Sequence, residues 1–208
     1  MCSATAGQAA ADDVVVLQLE KLGKPLPPVV VELFEGDAPK HAANFKKLMG
    51  SGFYLKTSVH RLLPNALLQM GDPISRKKDA MDLGTGGPGY TLPPEIKHKH
   101  TEGCVAMGRL PDNVNPGKVS NGSQFYFALK ALPELDGTDT VFGRVIQGMD
   151  TLQTLGSGTA DSNDVPLERI AVTGSKVVPR EKLEAEMAAL TKGPSFWRRV
   201  GGHLPKLF

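Results

Sequence analysis

The stretch Val59-His60-Arg61-Leu62-Leu63-Pro64-Asn65-Ala66-Leu67-Leu68-Gln69-Met70-Gly71-Asp72-Pro73 sets one arginine and one glutamine among strand-forming apolar residues. A guanidinium keeps its charge and is seldom buried alone, so Arg61 is expected at a wet cleft, aimed at an acceptor. No acidic residue lies within ten positions on its N-terminal side. Outward from this stretch the chain is mostly short strands. The runs Val14-Val15-Val16-Leu17-Gln18-Leu19 and Val29-Val30-Val31-Glu32-Leu33-Phe34 are separated by Gly and Pro and read as a hairpin with a long loop. In Asn121-Gly122-Ser123-Gln124-Phe125-Tyr126-Phe127, strand alternation puts Gln124 and Tyr126 on one face and Phe125 and Phe127 on the other. A helix is predicted from Pro39, with Asp37 just ahead of it, Ala42, Phe45 and Met49 on one face, and Gly50 ending it. Short strands with turn signals continue to about residue 178, a spacing that argues for an all-β barrel or sandwich.

At 208 residues, 40% hydrophobic and 22% charged, the chain is long enough for one well-buried core. A net charge of +2 gives no argument for nucleic acid, and no apolar run approaches a membrane span. Cys2 and Cys104 are far apart in sequence, and no disulfide is expected. The opening Met-Cys-Ser-Ala-Thr-Ala-Gly lacks the basic start and apolar middle of a secretion signal, which favours the cytoplasm. Cys2 followed by Ser-Ala is also how a processed periplasmic, membrane-anchored lipoprotein begins, and that alternative stays open.

Three segments then carry a family likeness: the opening stretch, Asn121 to Phe127, and Leu135-Asp136-Gly137 followed by Val141-Phe142-Gly143-Arg144-Val145. Together with Gly84-Thr85-Gly86-Gly87 and the start of the Pro39 helix, they resemble the cyclophilin peptidyl-prolyl cis-trans isomerases from about Val14 to Val177. The resemblance implies a mainly β fold, a closed eight-stranded antiparallel barrel capped by two helices, the second from Met149 to Leu155. It also implies an isomerase of X-Pro bonds in unfolded or flexible segments, without cofactor, assisting folding. The alternative is a proline-binding or chaperone-like module with weakened turnover.

Prolyl isomerisation crosses a barrier of about 18–20 kcal/mol set by the partial double bond of the amide. A catalyst must socket the proline, exclude water, and place a donor where the twisted nitrogen regains its lone pair. By resemblance Arg61 is that donor and Gln69 binds the substrate backbone, so these two are the catalytic pair. The substrate-binding set is His60, Ala66, Leu67, Gly108, Arg109, Gln124, Tyr126, Leu135 and Asp139, with Leu67 and Leu135 as socket walls. Alternation turns His60 away from Arg61, and it is expected to act as a structural hydrogen-bonding group. His98, His100 and Cys104 match no standard metal spacing, and no metal is expected. The glycines from Gly84 to Gly89 lack the Lys-Ser/Thr of a phosphate-binding loop.

Four positions depart from the family pattern: Ala66 stands for a socket phenylalanine, Arg109 for an asparagine, Glu134 for a tryptophan and Asp139 for a histidine. Arg109 is either neutral or a basic rim. Glu134 argues against cyclosporin-like ligands. Met70 replaces the first glycine after Gln69, where a Cβ could shift the backbone. The longer segment from Arg109 to Ser120 is either a flap that sets substrate choice or a tolerated surface insertion.

The chain thus divides into a disordered leader at 1–12, an isomerase domain at 13–178, and a segment at 179–208. In the last, Leu183, Met187 and Leu190 follow helical spacing, and Phe196, Trp197 and Val200 interleave with Arg198 and Arg199. That basic-aromatic tail suits membrane or protein docking, or folding back on the barrel. A monomer acting on proline-containing peptides or protein segments is expected.

Overall fold

The computed structural model describes residues 13–78 and 80–190. The expected leader and the basic-aromatic tail lie outside the described residues.

Among the described residues nine antiparallel strands form one curled sheet: β1 (Asp13–Lys21), β2 (Lys24–Pro25), β3 (Val29–Leu33), β4 (Arg61–Leu63), β5 (Leu67–Met70), β6 (Cys104–Met107), β7 (Phe125–Ala128), β8 (Val141–Gln147) and β9 (Ile170–Pro179). Strand β9 runs along one edge of β1, so β2 and β3 share the other edge. From β3 the order continues β8, β6, β7, β5, β4, which gives eight strands around the curl. The closed barrel expected from the sequence is not formed as a continuous ladder, because β4 and β9 do not pair. The segment before β4 spans the seam instead. Lys56 and Val59 donate backbone hydrogen bonds to Val172 and Ile170, Val172 donates to Thr57, and Ser58 bridges to Ala171.

Alternation decides what the curl encloses. Val15, Leu17, Leu19, Leu62, Leu68, Met70, Val105, Met107, Phe125 and Phe127 point inward into one core. Met70, where the family pattern has glycine, therefore sits fully buried in β5, opposite Phe125, without disturbing the strand. Helix α1 (Pro39–Gly50) adds Phe45, whose ring meets Phe125 edge-on at 4.9 Å and Phe142 at the same distance. Helix α2 (Met149–Gly156) buries Leu152 and Leu155 in that core.

The outward residues of β1, β3 and β9 are also apolar. Val14, Val16, Val30 and Val178 form a second cluster, against which Leu183, Met187 and Leu190 pack. Those three belong to helix α3 (Leu183–Leu190), which follows β9 after the single 3-10 turn Arg180–Lys182. An unbroken β-branched run such as Val14-Val15-Val16 is what a strand covered on both faces requires.

Candidate active site

Of the predicted site residues, Arg61, Leu67, Gln69 and Tyr126 share the outer face of the sheet, opposite the core. In the strand register Arg61 lies across from Gln69, Gln69 from Tyr126, and Tyr126 from Ala106, a row spanning β4, β5, β7 and β6. Beside this row lies an apolar patch of Leu67, Ala106, Tyr126, Ala128, Leu132 and Val141, with Leu63, Ala66 and Leu135 half-buried against it.

A second set of contacts fixes the amides. Gln69 Nε2 donates to Gln124 Oε1 at 3.0 Å, and Gln124 Nε2 donates to the carbonyls of Gly84 and Gly86, each at 2.8 Å. Asp72, fully buried, receives the Gly84 and Ile74 amides, and Asn121 Nδ2 donates to the Gly86 carbonyl. Three motifs distant in sequence are thereby interlocked behind the cleft. Gly108 closes the edge: a Cβ there would stand 3.2 Å from Gln69 Nε2. Gly71 has φ +92 and approaches Ser123 so closely that a Cβ would fall 2.3 Å from its carbonyl oxygen. Asp72 and Asn121 were not among the predicted site residues. Each is the type that bonds neighbouring backbone at a turn, which is the signal that marks them.

Arg61 does face water, and it has a partner. Its Nε lies 3.2 Å from Asp164 Oδ2, with the two side chains 44% and 42% exposed. The adjacent Leu62 amide donates to the Asp164 carbonyl at 2.7 Å, so the turn around Asp164 is docked on β4.

One expectation is corrected and one open alternative is decided. His60 is buried among Asp72, Gln124 and Ser58, and neither ring nitrogen makes a hydrogen bond of good geometry, so it does not anchor the site as a hydrogen-bonding group. Burial lowers its pKa against the smaller opposing pull of Asp72, Gln124 and Ser58, which favours the neutral ring. Of the two readings of Arg109, neutral or a basic rim, the open basic rim is not formed. Its side chain is 9% exposed and clamped between two carboxylates, Nε to Asp139 Oδ1 at 2.7 Å and Nη1 to Asp112 Oδ1 at 2.6 Å. Asp139 Oδ2 in turn accepts the Tyr126 hydroxyl at 2.8 Å. Burial, reinforced by that carboxylate, pushes the Tyr126 phenol far above its ordinary pKa, so it acts as a donor.

The remaining predicted positions are plain to place. Glu134 is exposed in the 3-10 turn Pro133–Leu135, while Leu135 reaches the apolar patch. The segment after Arg109 is tied down: Asn115 Nδ2 and Oδ1 bond the Val119 backbone, and Lys118 Nζ donates to the Gly137 carbonyl. His98 Nε2 lies 2.9 Å from Asp37, whereas His100 bonds Asp136 and Tyr126. Burial raises the Cys104 thiol to about 12. Among the described residues no group of three His, Cys, Asp or Glu is arranged to hold a metal ion, and no helix is long and apolar enough to cross a membrane.

Residues 16–177 match the family model of the cyclophilin-type peptidyl-prolyl cis-trans isomerases. The chain belongs to the cyclophilin family. It is 34% identical over 154 residues to peptidyl-prolyl cis-trans isomerase-like 1 of Gibberella zeae, covering 74% of this chain and 91% of that relative. Peptidyl-prolyl cis-trans isomerase B of Bacillus subtilis is 36% identical over 130 residues, covering 61% and 82%. A crystal structure of a Cryptosporidium parvum cyclophilin-type isomerase superimposes with a TM-score of 0.67 at 28% identity, covering 80% of this chain and 96% of that one. The same Cryptosporidium protein in the presence of the dipeptide Ala-Pro gives a TM-score of 0.66 at 28% identity, covering 79% and 98%. This cyclophilin is accordingly an isomerase of the peptidyl-prolyl class.

Proposed function

We propose that the cleft on the outer face is the isomerase site, with Arg61 as the donor to the prolyl amide and Gln69 as the anchor for substrate backbone. The observation that carries this is the cross-strand row Arg61, Gln69, Tyr126 lying directly beside an apolar patch. In this reading the proline ring lies on the apolar patch to which Ala66, Leu67, Tyr126 and Leu135 contribute. The Gln69 amide donates and accepts, which suits a peptide group, and Gln124 holds it in place. Once the X-Pro bond twists, resonance is lost and the nitrogen gains a lone pair. A charged donor in a partly dried cleft stabilises that state more than the planar one. No proton is transferred in the reaction, so the neutral, buried His60 is given no acid or base role. Asp164 satisfies Arg61 before substrate arrives, and an exposed pair of this kind yields readily.

The substrates under this reading are X-Pro bonds in unfolded or flexible protein segments, and the monomer suffices. Docking of the whole protein is assigned to residues 193–208, whose Arg198, Arg199 and Lys206 carry no acidic neighbour. The test is turnover of a short Ala-Pro peptide, followed by exchange NMR or a protease-coupled assay. Catalysed exchange that is lost when Arg61 and Gln69 are both replaced by alanine supports the site. Undiminished exchange in that folded double variant overturns it.

A further inference from the structure

The Asp139 carboxylate sits where the two sides of the cleft meet. Its Oδ2 accepts the Tyr126 hydroxyl and its Oδ1 accepts Arg109 Nε, at 2.8 and 2.7 Å, and the side chain is only 12% exposed. On one side, Tyr126 is part of the apolar patch. On the other, Arg109 follows Gly108, the backbone that closes against Gln69. One carboxylate therefore joins the proline socket to the edge beside the glutamine amide.

The contacts extend in both directions. Behind Tyr126, His100 Nε2 lies 2.9 Å from the same hydroxyl, and His100 Nδ1 lies 3.2 Å from Asp136. Beyond Arg109, Nη1 reaches Asp112 and the Leu110 carbonyl, which ties in the start of the 109–120 segment. Prolyl isomerisation itself requires none of these charges, and they are consumed by one another. Neither Asp139 nor Arg109 presents a free head group to a substrate.

We infer that Asp139 is a positioning residue, which fixes the Tyr126 ring as a socket wall and pins the Gly108–Arg109 edge to it, so that both halves of the cleft meet the substrate as one rigid unit. The inference rests on the site proposed above and names what sets its shape. A phenol held from two sides by hydrogen bonds loses freedom to swing, and charge-assisted bonds hold geometry more firmly than neutral ones. A site already ordered spends less of its binding energy on ordering, so the gain falls mainly on substrate affinity.

The test is a double-mutant cycle on the full chain, with kcat, KM and peptide Kd measured by exchange NMR on an Ala-Pro peptide and melting temperatures taken in parallel. Asp139→Ala should lower kcat/KM about tenfold, mostly through KM, a loss of about 1.4 kcal/mol. In a Tyr126→Phe background, where no hydroxyl remains to be held, the same change should cost about threefold or less. Asp139→Asn, which keeps one acceptor oxygen, should fall between the parent and Asp139→Ala, and it replaces alanine in the cycle if that variant does not fold. A residue serving only the fold would cost the same factor in both backgrounds. That result, or no loss in the parent, overturns the inference while leaving the site standing. A parent that neither binds nor turns over the peptide defeats the site and this inference together.

Discussion

Arg61→Ala should separate catalysis from stability in this cyclophilin, and the structure sets the size of both effects. The partner of Arg61 is Asp164, at 3.2 Å, with both side chains more than two-fifths exposed. An ion pair in that setting is worth about 0–1 kcal/mol, so its loss should move the melting temperature by no more than about 4 °C in a domain of this size. The hydrogen bond proposed to the twisting amide is charge-assisted and worth about 1.5–3 kcal/mol. At about 1.36 kcal/mol per decade of rate, turnover should fall roughly 10- to 160-fold. Asp164→Asn supplies the matched control: it frees Arg61, and kcat/KM should change by no more than about fivefold because the pair is weak. Exchange NMR on an Ala-Pro peptide gives the rates, and circular dichroism gives the melts. Parent-like turnover in Arg61→Ala would refute the assignment. So would a melting loss of ten degrees or more, which would make Arg61 a structural residue.

Ala66 is half-buried at the edge of the patch holding Leu67 and Leu135, so Ala66→Phe should strengthen peptide binding about two- to tenfold by adding apolar contact. Titration with a proline peptide checks it, and a folded variant with no gain would mean the socket is already full. Cyclosporin should bind weakly, since exposed Glu134 offers no indole donor and prefers water to an apolar ring; tight binding by calorimetry would contradict this. Stability should also fall on mild acidification. Burial lowers the pKa of His60, and of His41 despite the Glu95 carboxylate 2.7 Å away. Unfolded histidine binds a proton near about pH 6.5, so this stabilisation is whole above that value and is lost as pH drops toward the lower folded values. Melting temperatures from pH 7.5 to 5 should decline, and decline less in His60→Leu; a flat profile in the parent would count against the neutral buried rings.

Much of the architecture was readable without coordinates, because the signals are local. The Pro39 helix announces itself by proline at its start and an apolar face, and it forms over Pro39–Gly50. Alternation sorts Phe125 and Phe127 from Tyr126, and the two phenylalanines are core while the tyrosine lies on the other face. Helical spacing of Leu183, Met187 and Leu190 marks a helix, yet nothing in those residues says that Val14, Val16, Val30 and Val178 are what it covers.

What the sequence by itself determined is the set of strands and helices, the faces of each strand, and the family, because periodicity, turn chemistry and motif spacing are properties of neighbouring residues. The tertiary structure alone decided who meets whom. Asp164 reaches Arg61 across 103 positions. Arg109 directs its charge to Asp139 and Asp112, His60 is buried without a hydrogen bond of good geometry, and the seam between β4 and β9 is bridged rather than laddered. Ion pairing, desolvation and strand closure depend on distances that arise only when the curled sheet brings remote segments together, and no local pattern encodes them.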